Sequence, residues 1–411
     1  MRPVLIVGGG QGGVSTAESL RDRGYDGPIR MLDAGSEVPY RRPPLSKAYL
    51  TGQADAAGLR FRPESFYAEL GIDLLLGTAM AGIDHSARQL LLADGSRLDY
   101  DHLVLATGSA PRPWPGPGAG LEGVLQLATL EDADRMRAAL AGAGSLTIIG
   151  GGFIGLEAAS TAIKAGLSVT VLEAADRVMA RALTPFSSEH LVQRHRELGV
   201  DLRTGVLVEQ LLGDGRAVTG VRLVSGETIP SDLVLVSVGS AANVAGLSAE
   251  LVDEQLRAIR VDELLLTADS NVSAIGDAAA FLRGGARIRL ESVQNATDQA
   301  RAVAARLTGD PAPYAAVPWF WTEQAGVKVQ MAGLTAAADS FVVRGDPAGD
   351  RFSVFAFDGQ ELRGAESFGR PGDHIAVRTL LGAEAELSPA QAADLDFDLA
   401  AHARSAALSP V

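Results

Sequence analysis

Two glycine loops carry the most legible chemistry in the chain. Gly8, Gly10 and Gly13 stand in G-x-G-x-x-G spacing directly after an apolar run, and Gly150, Gly152 and Gly155 repeat the pattern. Positions without side chains let the backbone turn tightly and approach a pyrophosphate, whose charge then rests against the positive N-terminus of the following helix. One such spacing is weak, because glycine also serves ordinary turns; a strand before and a helix after, found at both copies, make each a dinucleotide site. An acid follows each loop, Asp33 in IRMLDAG and Glu173 in VTVLEA. Glu173 stands roughly 20 residues beyond its loop, where a carboxylate grips the ribose 2′-hydroxyl and repels a 2′-phosphate. NADH is therefore expected over NADPH at the second site, with Arg177 and Arg181 close behind as the alternative, a phosphate grip.

Two sites imply two nucleotides, because hydride transfer needs a donor and an acceptor; a nicotinamide and a flavin are the expected pair. The chain has no cysteine. A dithiol relay, a thiolate metal site and a disulfide are thereby excluded. Of the six histidines, His190 and His195 are five apart and off one helical face, so no metal site is expected.

These residues need a framework that has been used twice. Residues 3–24 and 146–166 each read as an apolar strand, a glycine turn and a helix of small and apolar residues, with a further strand beyond. YDHLVLATGSAPRPWPG and SDLVLVSVGSAANV read as the returning strands, the first meeting Thr107 and Gly108 and the second closing at Gly239. VSAIGDAAAF and the helical ESVQNATDQARAVAARL lie beyond the second copy, so the first domain is expected to be discontinuous. From about Pro318 the pattern changes to short alternating strands such as FVVRG and RFSVFAF, typical of an antiparallel sheet. The expected fold class is α/β, with two Rossmann-like three-layer dinucleotide-binding domains and a C-terminal α+β domain. The expected boundaries are 1–112 with 240–317 for FAD, 113–239 for NAD, and 318–411 for the C-terminal domain.

Composition agrees with a folded chain of several domains: 411 residues, 47% hydrophobic and 21% charged. The 47 glycines sit at the ends of apolar runs, as turns and phosphate loops do. A net charge of -14 argues against nucleic acid or an anionic membrane surface as partner. No run approaches the ~20 apolar residues that span a bilayer. The first apolar segment, Val4–Val7, has no cationic leader before it, so a cytoplasmic location is expected.

The runs VPYRRPPLSKAYL, LVLATGSAPRP, IIGGGFIGLEAA, AIGDAAAF, ESVQNATDQAR and PWFW, in this order, resemble the putidaredoxin-reductase-like ferredoxin reductases of oxygenase systems. These belong to the FAD/NAD(P)-dependent pyridine nucleotide-disulfide oxidoreductase superfamily, and the resemblance covers essentially the whole chain. It implies that Lys47 lies beside the flavin N5, that Asp277 bonds the ribitol, that Val293 meets the pyrimidine end of the ring and that Trp321 packs near it. It adds Gly12, Arg42, Met80, Ala106, Thr107 and Gly108 to the FAD contacts, and Phe153, Ile154, Arg181 and Gly239 to those for NAD. Glu157 would pair with Lys47 across the domain boundary, near the path of hydride. Positive charge near the flavin stabilises its reduced form, although a purely structural ion pair is also compatible with these two residues. Trp319 is equally well read as core.

Two positions depart from the family pattern. Ala34 stands where the acid for the adenosine ribose is expected, and Ala128 where an arginine contacts FAD. Loss of a charge-assisted bond is worth about 1.5–3 kcal/mol if nothing replaces it, so FAD is expected to bind, less tightly.

The resemblance implies an NADH-dependent enzyme that reduces a [2Fe-2S] ferredoxin, which in turn feeds a cytochrome P450 or a Rieske oxygenase. The alternatives within the fold are an NADH reductase of rubredoxin, a quinone or a small oxidant, and an apoptosis-inducing-factor-like flavoprotein that acts by binding partners. For an acidic ferredoxin, Arg283, Arg287, Arg289, Arg301 and Arg306 form the expected docking cluster.

Overall fold

The computed structural model describes residues 2–408. The chain forms two compact units, one of residues 1–42, 55–110 and 240–316 and the other of residues 43–54, 111–239 and 317–411.

The first unit is built on a five-stranded parallel sheet in the order Val272–Ala274, His102–Leu105, Val4–Val7, Ile29–Leu32 and Ile72–Leu75. The runs VLIV and HLVL are buried along their whole length, as a sheet covered on both faces requires. Helices Gln11–Asp22 and Val293–Leu307 pack together, the second burying Ala296, Ala300, Val303 and Ala304. A three-stranded antiparallel sheet, Met80–Asp84, Gln89–Leu92 and Arg97–Asp99, completes the unit's main elements.

The second unit repeats the plan. Its parallel sheet runs Asp201–Arg203, Ser168–Leu172, Ser145–Ile149, Leu233–Val236 and Val124–Leu125, with helix Phe153–Lys164 against it. The same unit holds a five-stranded antiparallel sheet in the order Trp319–Gln324, Val327–Gly333, Glu361–Phe368, Arg351–Asp358 and Ser340–Asp346. Helices Pro371–Gly382 and Leu399–Ala407 pack with it around Phe355, Phe357, Val377 and Leu380. The short 3-10 helix Pro43–Ser46 lies in this unit and packs on helix Phe153–Lys164. No helix among the described residues is long and apolar enough to cross a membrane.

Candidate functional site: two phosphate cradles and a buried ion pair

The two glycine loops have the same geometry. Gly8 has φ 115° and Gly150 φ 109°, a backbone region that favours glycine. A Cβ at Gly8 would lie 2.2 Å from the Ala106 carbonyl oxygen, and one at Gly150 would lie 2.2 Å from that of Ser237. A Cβ at Gly13 would fall 1.9 Å from the Gly8 carbonyl oxygen and one at Gly155 2.2 Å from that of Gly150, so each third glycine lets its helix close onto its strand. Gly12 is also tight, 3.2 Å from Ile275. Gly10 and Gly152 differ: a Cβ at either meets no protein atom within 4 Å. Nothing in the protein requires glycine there, so the empty space in front of each helix N-terminus is what a pyrophosphate needs, and the loops fit two dinucleotides.

The acids behave alike as well. Asp33 accepts the Gly9 amide at 2.5 Å and the Gly35 amide at 2.7 Å, while Glu173 accepts those of Gly151 at 2.6 Å and Ala175 at 2.8 Å. Each carboxylate braces its own loop and keeps further acceptor lone pairs. Arg177, an alternative phosphate grip by sequence, donates to the carbonyls of Leu183 at 2.5 Å and Ala180 at 2.9 Å. Its guanidinium holds the loop, which leaves Arg181 as the other residue of that alternative. Arg181 lies beside Gly239, whose φ is 90°.

In the first unit, Asp277 lies in the 3-10 turn Gly276–Ala278 that follows Val272–Ala274 and accepts the Ser109 hydroxyl at 3.0 Å. Burial raises its pKa, and the Glu291 carboxylate adds to the rise; Ser109, Arg289 and Arg42 oppose it. Arg289 bonds the Asp277 carbonyl at 2.7 Å and the Ser240 hydroxyl at 3.0 Å and pairs with Glu291. Thr107 and Asn243 are cross-linked, hydroxyl to carbonyl at 2.8 Å and amide to carbonyl at 2.9 Å. Met80 opens its strand half-buried, Gly108 takes φ 67° and Val293 is the first residue of its helix, behind the Ser292 cap.

In the second unit, Lys47 Nζ lies 2.6 Å from Glu157 Oε2. Glu157 is buried on helix Phe153–Lys164, and its Oε2 also accepts the Ser46 hydroxyl at 2.6 Å while Oε1 accepts that of Thr322 at 2.7 Å. Glu157, Ser160 and Thr161 share one helical face; Ser160 accepts the Ala325 amide at 2.7 Å and Thr161 donates to the Ser46 carbonyl at 2.9 Å. Trp319 and Trp321 lie ring to ring at 5.7 Å on strand Trp319–Gln324, and Phe153 meets Phe320 edge-on at 6.3 Å. Ile154 beside it is exposed.

The structure thus gathers Gly8, Gly10, Gly12, Gly13, Asp33, Arg42, Met80, Ala106, Thr107, Gly108, Asp277 and Val293 in one unit. Lys47 and Trp321 belong to the other, with Glu157 and the second loop. Sequence reasoning missed Ser109, Asn243, Ser46 and Thr322. Only Thr322 had a signal, its place in the alternation of WFWTEQ.

The arginine docking cluster is corrected. Arg283 donates to the Ala316 carbonyl at 2.7 Å, Arg287 to those of Val261 at 2.7 Å and Ala280 at 2.9 Å, and Arg306 to Ser273 at 2.6 Å. Arg289 is held as described, and of the five only Arg301 is well exposed. Four of these guanidiniums satisfy carbonyls and hydroxyls within their own unit, a use that a count of charges cannot reveal. His190 and His195 likewise go to separate partners, Asp350 at 2.7 Å and Gln324 at 2.9 Å.

Paired phosphate cradles on paired parallel sheets, with an ammonium–carboxylate pair and no cysteine, define a two-nucleotide oxidoreductase of the flavin type. The chain belongs to the pyridine nucleotide-disulphide oxidoreductase family, whose model matches residues 2–300; residues 319–403 match the reductase C-terminal family. It is an enzyme whose cofactors are FAD and a nicotinamide nucleotide. Rhodocoxin reductase of Rhodococcus erythropolis is 47% identical over 401 residues, 96% of this chain and 93% of its own length. A ferredoxin reductase from Rhodopseudomonas palustris has a similar structure, with TM-score 0.94 and 45% identity over 98% of this chain and 100% of that one. The covalent putidaredoxin reductase–putidaredoxin complex matches with TM-score 0.93 and 38% identity over 99% of each chain.

Proposed function

We propose that this protein is the NADH-dependent reductase of a [2Fe-2S] ferredoxin that feeds a cytochrome P450 or a Rieske oxygenase in the cytoplasm. The observation that carries the reading is the Lys47–Glu157 pair, 2.6 Å apart in a chain with two dinucleotide cradles and no thiol. FAD, when bound, accepts two electrons from NADH and releases them singly, which is what an iron–sulfur acceptor requires. The likeness to ferredoxin and rhodocoxin reductases supports a protein acceptor.

In this reading residues 1–112 and 240–317 hold FAD, 113–239 hold NADH and 318–411 form the C-terminal domain. Gly8, Gly10, Gly12 and Gly13 seat the FAD pyrophosphate, Asp33 and Arg42 flank it, and Ala106, Thr107 and Gly108 line its path with Met80. Asp277 and the Val293 amide bind the ribitol and the ring's polar end, and Trp321 covers the ring. Gly150, Gly152, Phe153, Ile154 and Gly155 seat the NADH pyrophosphate. Glu173 selects the free 2′-hydroxyl, and Arg181 and Gly239 border the same pocket. Lys47 places positive charge where the reduced ring gathers electron density, and Glu157 fixes that ammonium by three-point contact with Lys47, Ser46 and Thr322.

The test is acceptor dependence. NADH oxidation should accelerate when a [2Fe-2S] ferredoxin is added; a rate equal to that with oxygen alone would remove the reading.

A further inference from the structure

Behind Glu157 runs a buried polar chain that the pairing with Lys47 does not by itself require. Thr322 Oγ1 donates to Glu157 Oε1 at 2.7 Å, Gln324 Nε2 lies 3.1 Å from Thr322 Oγ1, and His195 Nε2 lies 2.9 Å from Gln324 Oε1. Thr322, Gln324 and His195 are all buried, with His195 fully enclosed. Glu157 comes from helix Phe153–Lys164, Thr322 and Gln324 from strand Trp319–Gln324 and His195 from helix Pro185–Glu197.

The chemistry of the groups fixes the direction of every bond. A carboxylate only accepts, so the single hydroxyl proton of Thr322 goes to Glu157. The Thr322 oxygen must then accept, and only the NH2 side of the Gln324 amide can donate to it. That turns the Gln324 carbonyl towards His195, whose Nε2 must carry a proton. Nδ1 of His195 has no hydrogen-bond partner. Burial lowers the pKa of His195, which keeps the ring neutral.

We propose that His195 is a positioning residue for the Lys47–Glu157 pair, acting through Gln324 and Thr322. Without its N–H, the Gln324 amide is free to turn over and offer its oxygen to Thr322. The Thr322 proton then goes to Gln324, Glu157 Oε1 loses its donor, and the carboxylate is free to swing away from the lysine. The charged group facing Glu157 is Lys47, from the Pro43–Ser46 side; Ser46 and Thr322 add hydroxyls, and Glu323, next to Thr322, points to solvent. This inference rests on the proposed role of the Lys47–Glu157 pair at the flavin.

The experiment uses the FAD-loaded protein and three readouts: histidine nitrogen NMR, the flavin midpoint potential, and the rate and KM for NADH in flavin reduction. His195 should show a protonated Nε2 and a bare Nδ1 at neutral pH. His195→Leu should make the midpoint potential more negative and slow flavin reduction on the order of tenfold, the loss of one charge-assisted bond, with KM for NADH unchanged. His195→Gln, which restores a donor, should recover both, and Thr322→Val should reproduce the His195→Leu effect. A protonated Nδ1 overturns the proposal. So does a His195→Leu protein that loses only thermal stability, or a folded His195→Gln protein as impaired as His195→Leu. If Glu157→Gln itself leaves potential and rate unmoved, it is the role of the ion pair that fails; if Thr322→Val acts and His195→Leu does not, that role stands and the relay falls.

Discussion

Lys47 and Glu157 meet at 2.6 Å although they stand 110 positions apart in the chain, and the carboxylate is the more deeply buried partner, 7% exposed against 25% for the lysine. Its two oxygens are fully engaged, by Lys47 and Ser46 on one and Thr322 on the other. Glu157→Gln leaves the ammonium facing a neutral amide, and Lys47→Met removes the positive charge. Both should slow NADH-driven flavin reduction by about 10- to 100-fold, equivalent to ~1.5–3 kcal/mol, while FAD stays bound. Stopped-flow bleaching of the flavin together with the absorbance ratio of the purified protein checks both halves.

The glycines of each loop should separate into two kinds. Gly10→Ala meets no protein atom, so the apoprotein should unfold at an unchanged temperature while FAD affinity falls. Gly8→Ala forces a side chain into φ 115° and against the Ala106 carbonyl, so it should destabilise the apoprotein by well over the ~1–2 kcal/mol of backbone strain alone. Thermal unfolding with and without added FAD distinguishes them. Equal destabilisation by both substitutions would refute the division.

Glu173 braces Gly151 and Ala175, and in the proposed function it also meets the ribose. Glu173→Gln keeps an acceptor and loses the charge. The ratio of kcat/KM for NADH to that for NADPH should fall about tenfold, chiefly through a lower KM for NADPH. An unchanged ratio would show that the carboxylate serves the loop alone.

Acid should weaken each unit through a buried histidine. Burial and Arg306 push His102 down to about 3, and burial with Arg378 and Lys328 pushes His374 down to about 4. Both values lie below the ordinary 6.5, so the unfolded chain binds the extra proton first. Stability is therefore complete above about pH 6.5 and declines as pH falls towards the folded values, by up to ~1.4 kcal/mol per pH unit for each histidine. Urea midpoints at pH 7 and pH 5 should differ, and His102→Gln should flatten the slope for the first unit.

Arg287→Glu and Arg289→Glu were the natural charge reversals for a docking patch, yet these side chains brace Val261, Ala280 and Asp277. Both should lower stability and impair dye and ferredoxin reduction together. Arg301→Glu, exposed on helix Val293–Leu307, should leave the melting temperature unchanged.

The fold was legible because its signals are local. Strand, glycine turn and helix recur within about 20 residues, and the burial of VLIV, HLVL and LVLV follows from their apolar runs. The Lys47–Glu157 pair was reached by resemblance, not spacing, since no rule of local chemistry joins positions so far apart. Ser109–Asp277, Thr107–Asn243 and the chain from His195 to Thr322 were invisible for the same reason: each joins separate elements through side-chain hydroxyls, amides or an imidazole. The arginines misled because charge was read as exposure. Arg287 and Arg306 bring long side chains back over their own unit, where carbonyls and hydroxyls await donors.

The short stretch of residues 43–54 belongs with the unit of residues 111–239 and 317–411, although the chain on either side of it builds the other. Anyone transplanting that unit into another reductase to exchange coenzyme preference must therefore carry this strap along. A graft of residues 111–239 alone would bring Glu157 without the lysine, serine and threonine that occupy it, leaving a buried acid stripped of its partners in the chimera. Module exchange in this protein has to follow contacts rather than sequence order.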